Sequence, residues 1–260
     1  MQYAKTFTDA LQFMWGEGFL SPGGAGEVAQ MLSDDDLAGK SVLDIGSGLG
    51  GVDVLLVETH GAAQVVGIDV EEQLVAAARG LIAEKGLGER IRLELVEPGA
   101  LPFDDVSFDV VFSKDAMVHI PDKQALYSEV LRVLKPGGRF IAADWLWAAG
   151  AEQSPVVNAW LSKGPLSFAF TTPAEAAETM RRAGFRDVKI TDQRAALQVS
   201  NREEVNALEG PMFGPLSSVV GEQMAMSRLV SARGRQGALD SGDLIPAHLF
   251  GTAPQRDQRE

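Results

Sequence analysis

An apolar run that stops on a glycine-rich loop constrains this chain more than any other feature. Ser41-Val42-Leu43-Asp44-Ile45 reads as a buried strand, and Gly46-Ser47-Gly48-Leu49-Gly50-Gly51 follows at once. In Gly46-x-Gly48-x-x-Gly51 the glycines allow a tight turn and a close approach of backbone to a ligand, with a helix opening directly after it. Taken alone, the spacing is common to many nucleotide-type folds. It specifies the start of a βαβ unit, not a chemistry.

The remainder of the first half keeps that rhythm. Strand-like runs at 64–69, 90–96, 108–112 and 139–144 alternate with helical stretches, most plainly 71–84 and 122–134. Strands that alternate with helices of this length predict a parallel sheet, and right-handed crossovers place helices on both of its faces. Leu134-Lys135-Pro136-Gly137-Gly138 reads as a helix stop before the fifth strand. After Asp144 the pattern loosens: residues 145–172 hold three of the four tryptophans and no clear strand. Thr172-Pro173-Ala174-Glu175 is a helix start, with threonine as cap and proline in the first turn, and that helix closes at Ala183-Gly184. A sixth strand is expected at 187–190, and helix over most of 202–235 with breaks at Gly210-Pro211 and Gly214-Pro215. The run 244–252 completes seven strands, its proline placing it at an edge or delaying its start. With no repeat, linker or low-complexity tract, residues 1–260 read as one α/β domain with an N-terminal helix and an insertion.

Composition narrows the partners. The 260 residues carry 36 acidic and 23 basic side chains, a net charge of −13. Nothing supplies the positive field that a nucleic-acid backbone or an anionic bilayer needs, so neither is expected as a partner. The absence of cysteine excludes disulfides and thiolate chemistry. No His/Asp/Glu group has metal-ligand spacing, so no metal site is expected. No stretch approaches the ~18 apolar residues of a membrane span, and the N-terminus does not read as a signal peptide, so a cytoplasmic location is expected. Oligomeric state is not legible.

Two carboxylates shift the glycine loop away from pyrophosphate. Asp44 stands two residues before the first glycine, where it would repel phosphate but can hold an ammonium. Asp69, at the end of the second strand, is placed to accept two ribose hydroxyls or to cap the helix over 71–84. Together with Leu101-Pro102-Phe103 and the Leu-Lys-Pro-Gly-Gly stop, these residues resemble, in order and spacing, the class I S-adenosylmethionine-dependent methyltransferases over about residues 36–145. The resemblance implies a Rossmann-like fold: a central, mostly parallel seven-stranded sheet with helices on both faces, an N-terminal lid helix and an inserted cap. It divides the chain into lid helices at 1–35, a cofactor-binding core at 36–145, and a cap with the last part of the sheet at 146–260. It further implies S-adenosylmethionine as cofactor, with S-adenosylhomocysteine as product, held by Asp44, Gly46, Gly48, Asp69 and Val70. Glu97, four positions before Leu101, occupies the place of the acid that receives the adenine amino group, although Pro98 follows it where the family usually has alanine.

Methyl transfer needs a nucleophile in line with the methyl carbon, and an amine must first lose its proton to a base. The loop after the fourth strand, where open α/β sheets bind ligands, carries His119. Here Ser113-Lys114-Asp115-Ala116 to His119, the glycine loop, and Gln2-Tyr3 with Gly16-Glu17-Gly18-Phe19-Leu20-Ser21-Pro22-Gly23-Gly24 resemble the phosphoethanolamine N-methyltransferases. That likeness implies a lid closing over the cofactor, Tyr3 hydrogen-bonded to His119 so that the two position and deprotonate an amine, and cofactor contacts from Leu20, Ser21 and Lys114, the last usually arginine. It fails at the substrate phosphate. Trp160 to Phe168 lacks the family's tyrosines and arginine, Lys163 is a poor substitute, and Trp145 replaces another tyrosine. Trp145, Trp160 and Phe168 are instead expected to face a less anionic substrate through aromatic surface. The expected function is methylation of a small molecule, first at the nitrogen of a small amine, alternatively at oxygen or carbon of a natural product. A non-catalytic cofactor binder or a nicotinamide oxidoreductase is the rival from another class, and Asp44 argues against the oxidoreductase.

Overall fold

The computed structural model describes residues 3–162 and 166–255. Its seven strands are β1 (Ser41–Ile45), β2 (Gln64–Asp69), β3 (Ile91–Leu95), β4 (Phe108–Lys114), β5 (Leu134–Trp147), β6 (Arg186–Asp192) and β7 (Leu244–Thr252). They form one sheet in the order β3-β2-β1-β4-β5-β7-β6. The first five are parallel, and β7 runs antiparallel to both β5 and β6. The order reverses between β1 and β4, and a crevice opens at such a switch point, outside the carboxyl ends of the strands.

Period-2 alternation within the central strands builds two cores. Leu43, Ile45 and Val111 face the layer of α5 (Lys123–Val133) and α7 (Pro173–Ala183). Val42, Val110 and Phe112 face the other layer, formed by α2 (Gly24–Met31), α3 (Gly51–Glu58) and α4 (Glu72–Glu84). Local signals start and stop the helices where they were read. Thr172 and Glu175 form a reciprocal capping box at α7, and Gly184 closes that helix in the left-handed region. Asp122 caps α5 by accepting from Ala125 N at 2.9 Å.

A cap stands over the carboxyl edge. It combines α6 (Pro155–Leu161) with α8 (Arg194–Leu208), α9 (Phe213–Val220) and α10 (Glu222–Asp240), the last three inserted between β6 and β7. The N-terminal helix α1 (Lys5–Trp15) packs on this cap rather than on the sheet: Ala10 shares an apolar cluster with Leu208, Leu216, Ala225 and Leu229. Burying each such leucine contributes roughly 1.5–3 kcal/mol, which docks α1 firmly.

Three expectations need correction. First, β5 does not end at Asp144 but runs on through Trp145 and Trp147, and the Lys135-Pro136-Gly137-Gly138 stop lies inside its first residues, after α5 has ended at Val133. The long antiparallel ladder with β7, from Arg139↔Thr252 to Trp147↔Leu244, draws the tryptophans into the sheet. Second, β7 is not an edge strand. Its proline, Pro246, lies opposite Trp145 of β5, and pairing with β6 begins only at Ala247, so the proline shortens one ladder while the other carries the strand. Third, Gly214-Pro215 does not break a helix but sits in the first turn of α9, where a proline's missing N–H costs nothing.

Candidate active site

The glycine loop is held by its own backbone. Gly46 N and Ser47 N both donate to Ile68 O at the end of β2, at 2.9 and 3.0 Å, and Gly48 N donates to Asp69 Oδ2 at 3.0 Å. Asp69 Oδ1 accepts from Glu71 N at 2.9 Å, so this one carboxylate ties the loop to the start of α4. Gly46 has φ +80°, and a side chain there would overlap Ala116, the residue that turns the chain after β4. Asp44 is buried beneath the loop with Oδ1 unpartnered, and burial together with the Asp69 charge pushes its carboxyl up to about 8.

The N-terminal segment closes on this loop through two glycines. Gly51 N donates to Gly18 O at 3.2 Å, and a Cβ on Gly18 would lie 2.6 Å from Gly51 Cα. Leu20 follows, its side chain 3.1 Å from the point where a Cβ on Gly48 would stand. Lys114, at the end of β4, then fastens the segment. Its buried ammonium meets Ser21 Oγ at 2.8 Å, Pro22 O at 2.7 Å, Asp115 Oδ2 at 2.7 Å and Glu27 Oε2 of α2 at 2.8 Å. Glu27 Oε1 also faces His248 Nε2 of β7 at 3.4 Å. Lys114 was grouped with the cofactor residues by resemblance. Its protons are directed at these protein oxygens, so Lys114 tethers the Ser21–Pro22 turn and α2 to β4.

His119 ends a short 3-10 turn, Met117–His119, that two buried charges hold in place. Asp144 Oδ1 of β5 accepts from Val118 N at 2.9 Å, and Lys123 Nζ donates to Met117 O at 2.5 Å and Ile120 O at 2.7 Å. Sequence reading missed this role of both residues. Their spacing of 21 positions gives no hint that Asp144 and Lys123 meet at one turn. His119 Nδ1 lies 2.5 Å from Ser167 O. A carbonyl only accepts, so Nδ1 carries the hydrogen and Nε2 is left with a free lone pair in the neutral ring. Burial lowers the histidine below its ordinary range, against a smaller opposing effect of Ser167. The ring is therefore neutral at pH 7.

Tyr3 is half-buried beside Phe7 of α1, with ring centroids 6.0 Å apart, and Gln73 Nε2 of α4 donates to its carbonyl at 2.5 Å. Burial and the charges of Asp69 and Glu71 hold its phenol protonated. Tyr3 precedes α1, whereas His119 ends the turn after β4. The two share no hydrogen bond in this conformation. Gln2 and Lys163 lie outside the described residues.

The aromatic residues form a stack, not an open cage. Trp145 stacks on Trp160 at 5.8 Å, Trp160 packs on Phe168 at 6.0 Å, and Phe168 packs on the His119 ring at 5.1 Å. Phe170 and Trp147 extend the stack at 5.3 and 5.1 Å. The cation over Trp145 is the protein's own Arg235, 5.9 Å from the ring, itself paired with Glu204 at 2.6 Å. Trp145 and Trp160 are buried, and Phe168 lies between Trp160 and the histidine ring. On the opposite side, Val70, Glu97 and Pro98 form an exposed rim beyond β2 and β3, and Glu97 makes no hydrogen bond. Leu101-Pro102-Phe103, next along, is clasped by α5: Glu129 Oε2 accepts from Leu101 N at 2.8 Å, and Arg132 donates to Leu101 O at 2.9 Å and Phe103 O at 2.7 Å.

The glycine loop between β1 and α3 thus has Asp44 beneath it, Asp69 beside it and His119 across the switch point of the sheet. The chain matches the methyltransferase domain family over residues 36–184 and belongs to that family. It is 30% identical over 210 residues to phosphoethanolamine N-methyltransferase 2 of Caenorhabditis elegans, an alignment that covers 80% of this chain and 47% of that protein. It is equally 30% identical over 200 residues to 24-methylenesterol C-methyltransferase 2 of Arabidopsis thaliana, covering 71% of this chain and 55% of the relative. The chain therefore spans about half the length of these curated relatives. Among solved structures, Haemonchus contortus phosphoethanolamine N-methyltransferase 2 in complex with S-adenosyl-L-methionine superposes with a TM-score of 0.89 at 25% identity, over 98% of this chain and 58% of that one. A cyclopropane synthase from Mycobacterium tuberculosis has the same fold, with a TM-score of 0.77 at 14% identity over 96% of this chain and 94% of the other.

Breaking a buried ion cluster by removing one partner costs about 3–5 kcal/mol. Lys114→Met, which strands Glu27 and Asp115, is expected to lower unfolding free energy by about that amount. Urea denaturation followed by circular dichroism measures it, and a loss below about 1 kcal/mol would contradict the tether.

Proposed function

We propose that the chain is an S-adenosylmethionine-dependent methyltransferase acting in the cytoplasm on the nitrogen of a small amine, with His119 as general base and Tyr3 as its positioning partner. The observation that carries this reading is the His119 tautomer. Ser167 O takes the Nδ1 hydrogen at 2.5 Å, so Nε2 is the basic atom of a neutral ring at the switch point of the sheet.

The residues present fit the cofactor. Asp44 is a buried acid with an unpartnered oxygen and no cation of its own, which suits the ammonium of a methionine moiety. The glycine loop admits backbone-close contact through Gly46 and Gly48, Asp69 suits the ribose hydroxyls, and Val70, Glu97 and Pro98 suit the adenine at the open rim. Leu20 and Ser21 cover the cofactor from the lid. When bound, S-adenosylmethionine supplies an electrophilic methyl on its sulfonium, and S-adenosylhomocysteine is the product. His119 then takes a proton from the substrate ammonium, freeing the nitrogen lone pair for attack. Phe168 packs against the ring at an interplanar angle of 37°, and Asp144 with Lys123 hold the turn from which it projects. Trp145 and Trp160 wall the substrate side through Phe168.

Methylation at carbon or oxygen is the second reading. It is favoured by the sterol C-methyltransferase among the relatives and by an apolar, ring-rich cap. A mass-spectrometric screen for addition of a methyl group across small amines, phenols and sterols separates the two.

S-adenosylhomocysteine is expected to raise the melting temperature and NAD to leave it unchanged. Stabilisation by NAD alone would overturn the assignment. His119→Ala should lower kcat by roughly 10²–10⁴-fold. Because burial lowers the histidine, wild-type kcat should fall only as pH drops below the ordinary histidine value near 6.5. A fall that begins above pH 7, or full turnover in the alanine variant, would remove His119 as the base.

A further inference from the structure

The first turn of α3 carries an acid that none of the contacts above explains. Asp53 is 0% exposed, and neither of its carboxyl oxygens has a hydrogen-bond partner. Its position follows from strand register. Gly67 of β2 pairs with Asp44 of β1, and residues paired across neighbouring strands stand about 4.8 Å apart with side chains on one face. A Cβ on Gly67 would lie 2.6 Å from Asp53 Oδ1 and 2.8 Å from Ser47 Cβ. The Asp53 carboxyl therefore fills the side-chain space that Gly67 leaves open, beside the Asp44 side chain.

Ser47 Oγ and Asp44 Oδ1 are also buried without partners. Three elements thus bring carboxyl and hydroxyl oxygens together with no cation among them. The titratable groups that act on the pair are Asp44 from β1, Asp53 from α3 and Asp69 from the end of β2, all acidic. Asp69 is already turned to the amides of Gly48 and Glu71. Lys114 is engaged with Glu27 and Asp115. Two desolvated carboxylates side by side cannot both stay charged: burial and then the Asp69 charge raise Asp44 to about 8, and burial and then the Asp44 and Asp69 charges raise Asp53 well above the usual range.

We propose that Asp53 is a positioning residue that remains a neutral carboxylic acid and donates its hydrogen to Asp44, and that the ligand ammonium displaces the proton of Asp44 on binding. This rests on the methionine-moiety reading of the proposed function. The proton balance is simple: without ligand both acids hold a proton, and with ligand Asp53 keeps its own while that of Asp44 leaves to solvent as the ammonium takes its place. Asp53 is thereby a buried donor that selects which acid becomes the anion.

Calorimetry of S-adenosylhomocysteine binding, in buffers of differing ionisation enthalpy, tests this without turnover. Close to one proton should be released per ligand near pH 6.5, with affinity rising about tenfold per pH unit up to about pH 8. Methylthioadenosine, the same nucleoside without the ammonium, should bind with no release. Asp53→Asn retains a neutral donor and should keep both proton release and Kd within about threefold. Asp53→Leu removes the donor and should weaken binding about tenfold. Ligand binding without proton release in the wild type would overturn the inference and leave the cofactor assignment standing. So would Asp53→Asn weakening binding as much as Asp53→Leu. Failure of the folded wild type to bind S-adenosylhomocysteine at all would overturn the cofactor assignment itself.

Discussion

The Lys114 ammonium is the point on which the architecture of the site turns, because it lies where three separate elements meet. β4 supplies the lysine, the lid turn supplies Ser21 and the Pro22 carbonyl, and α2 supplies Glu27, whose other oxygen faces His248 of β7. A buried cation in water-free surroundings is tolerated only when its protons are satisfied and its charge is matched. That requirement obliges the N-terminal segment to return to the carboxyl edge of the sheet. Once it does, Gly18 and Gly51 come into backbone contact, and Leu20 settles over Gly48. The glycines at both positions follow from this closeness: a side chain on either would meet the other's main chain.

The same logic of buried charge recurs on the opposite side of the crevice. The His119 turn is too short to hold itself, and Asp144 and Lys123 grip it from the strand and the following helix. The ring is then caught between the Ser167 carbonyl and Phe168. Both restraints come from the segment that leads into α7. The aromatic stack from Trp147 to His119 contributes rigidity rather than open faces, and Arg235, paired with Glu204, covers the Trp145 end.

Electrostatics divides the site into two halves of different character. The lid junction sets the Lys114 ammonium against two carboxylates, those of Glu27 and Asp115. The floor beneath the glycine loop holds no such cation: among the described residues, Asp44 Oδ1 and both Asp53 oxygens are buried without a partner. The overall charge of −13 adds a long-range negative field.

Much of this was legible in the chain itself. The strand–glycine loop–helix spacing, the helix over 71–84, the Thr172–Glu175 cap and the seven-strand count were all local patterns, and local patterns survive folding because they rest on turn chemistry and side-chain period. Gly46, Gly48, Asp44, Asp69 and His119 stood out for the same reason, each lying at a fixed offset from a strand end. Long-range pairing was not legible. Nothing local reveals that β7 inserts between β5 and β6, or that Pro246 is thereby tolerated inside a sheet. Nor does it show that Lys114 is occupied by the lid, that Asp144 and Lys123 share a turn, or that Gly67 opens a space for Asp53. Those facts depend on which residues, distant in sequence, are pressed together when water is expelled. The sequence by itself determined the cofactor cradle, because a cradle is made of consecutive residues. Only the tertiary structure decided the state of its charges, because the energy of a buried charge is set by neighbours that folding alone brings near.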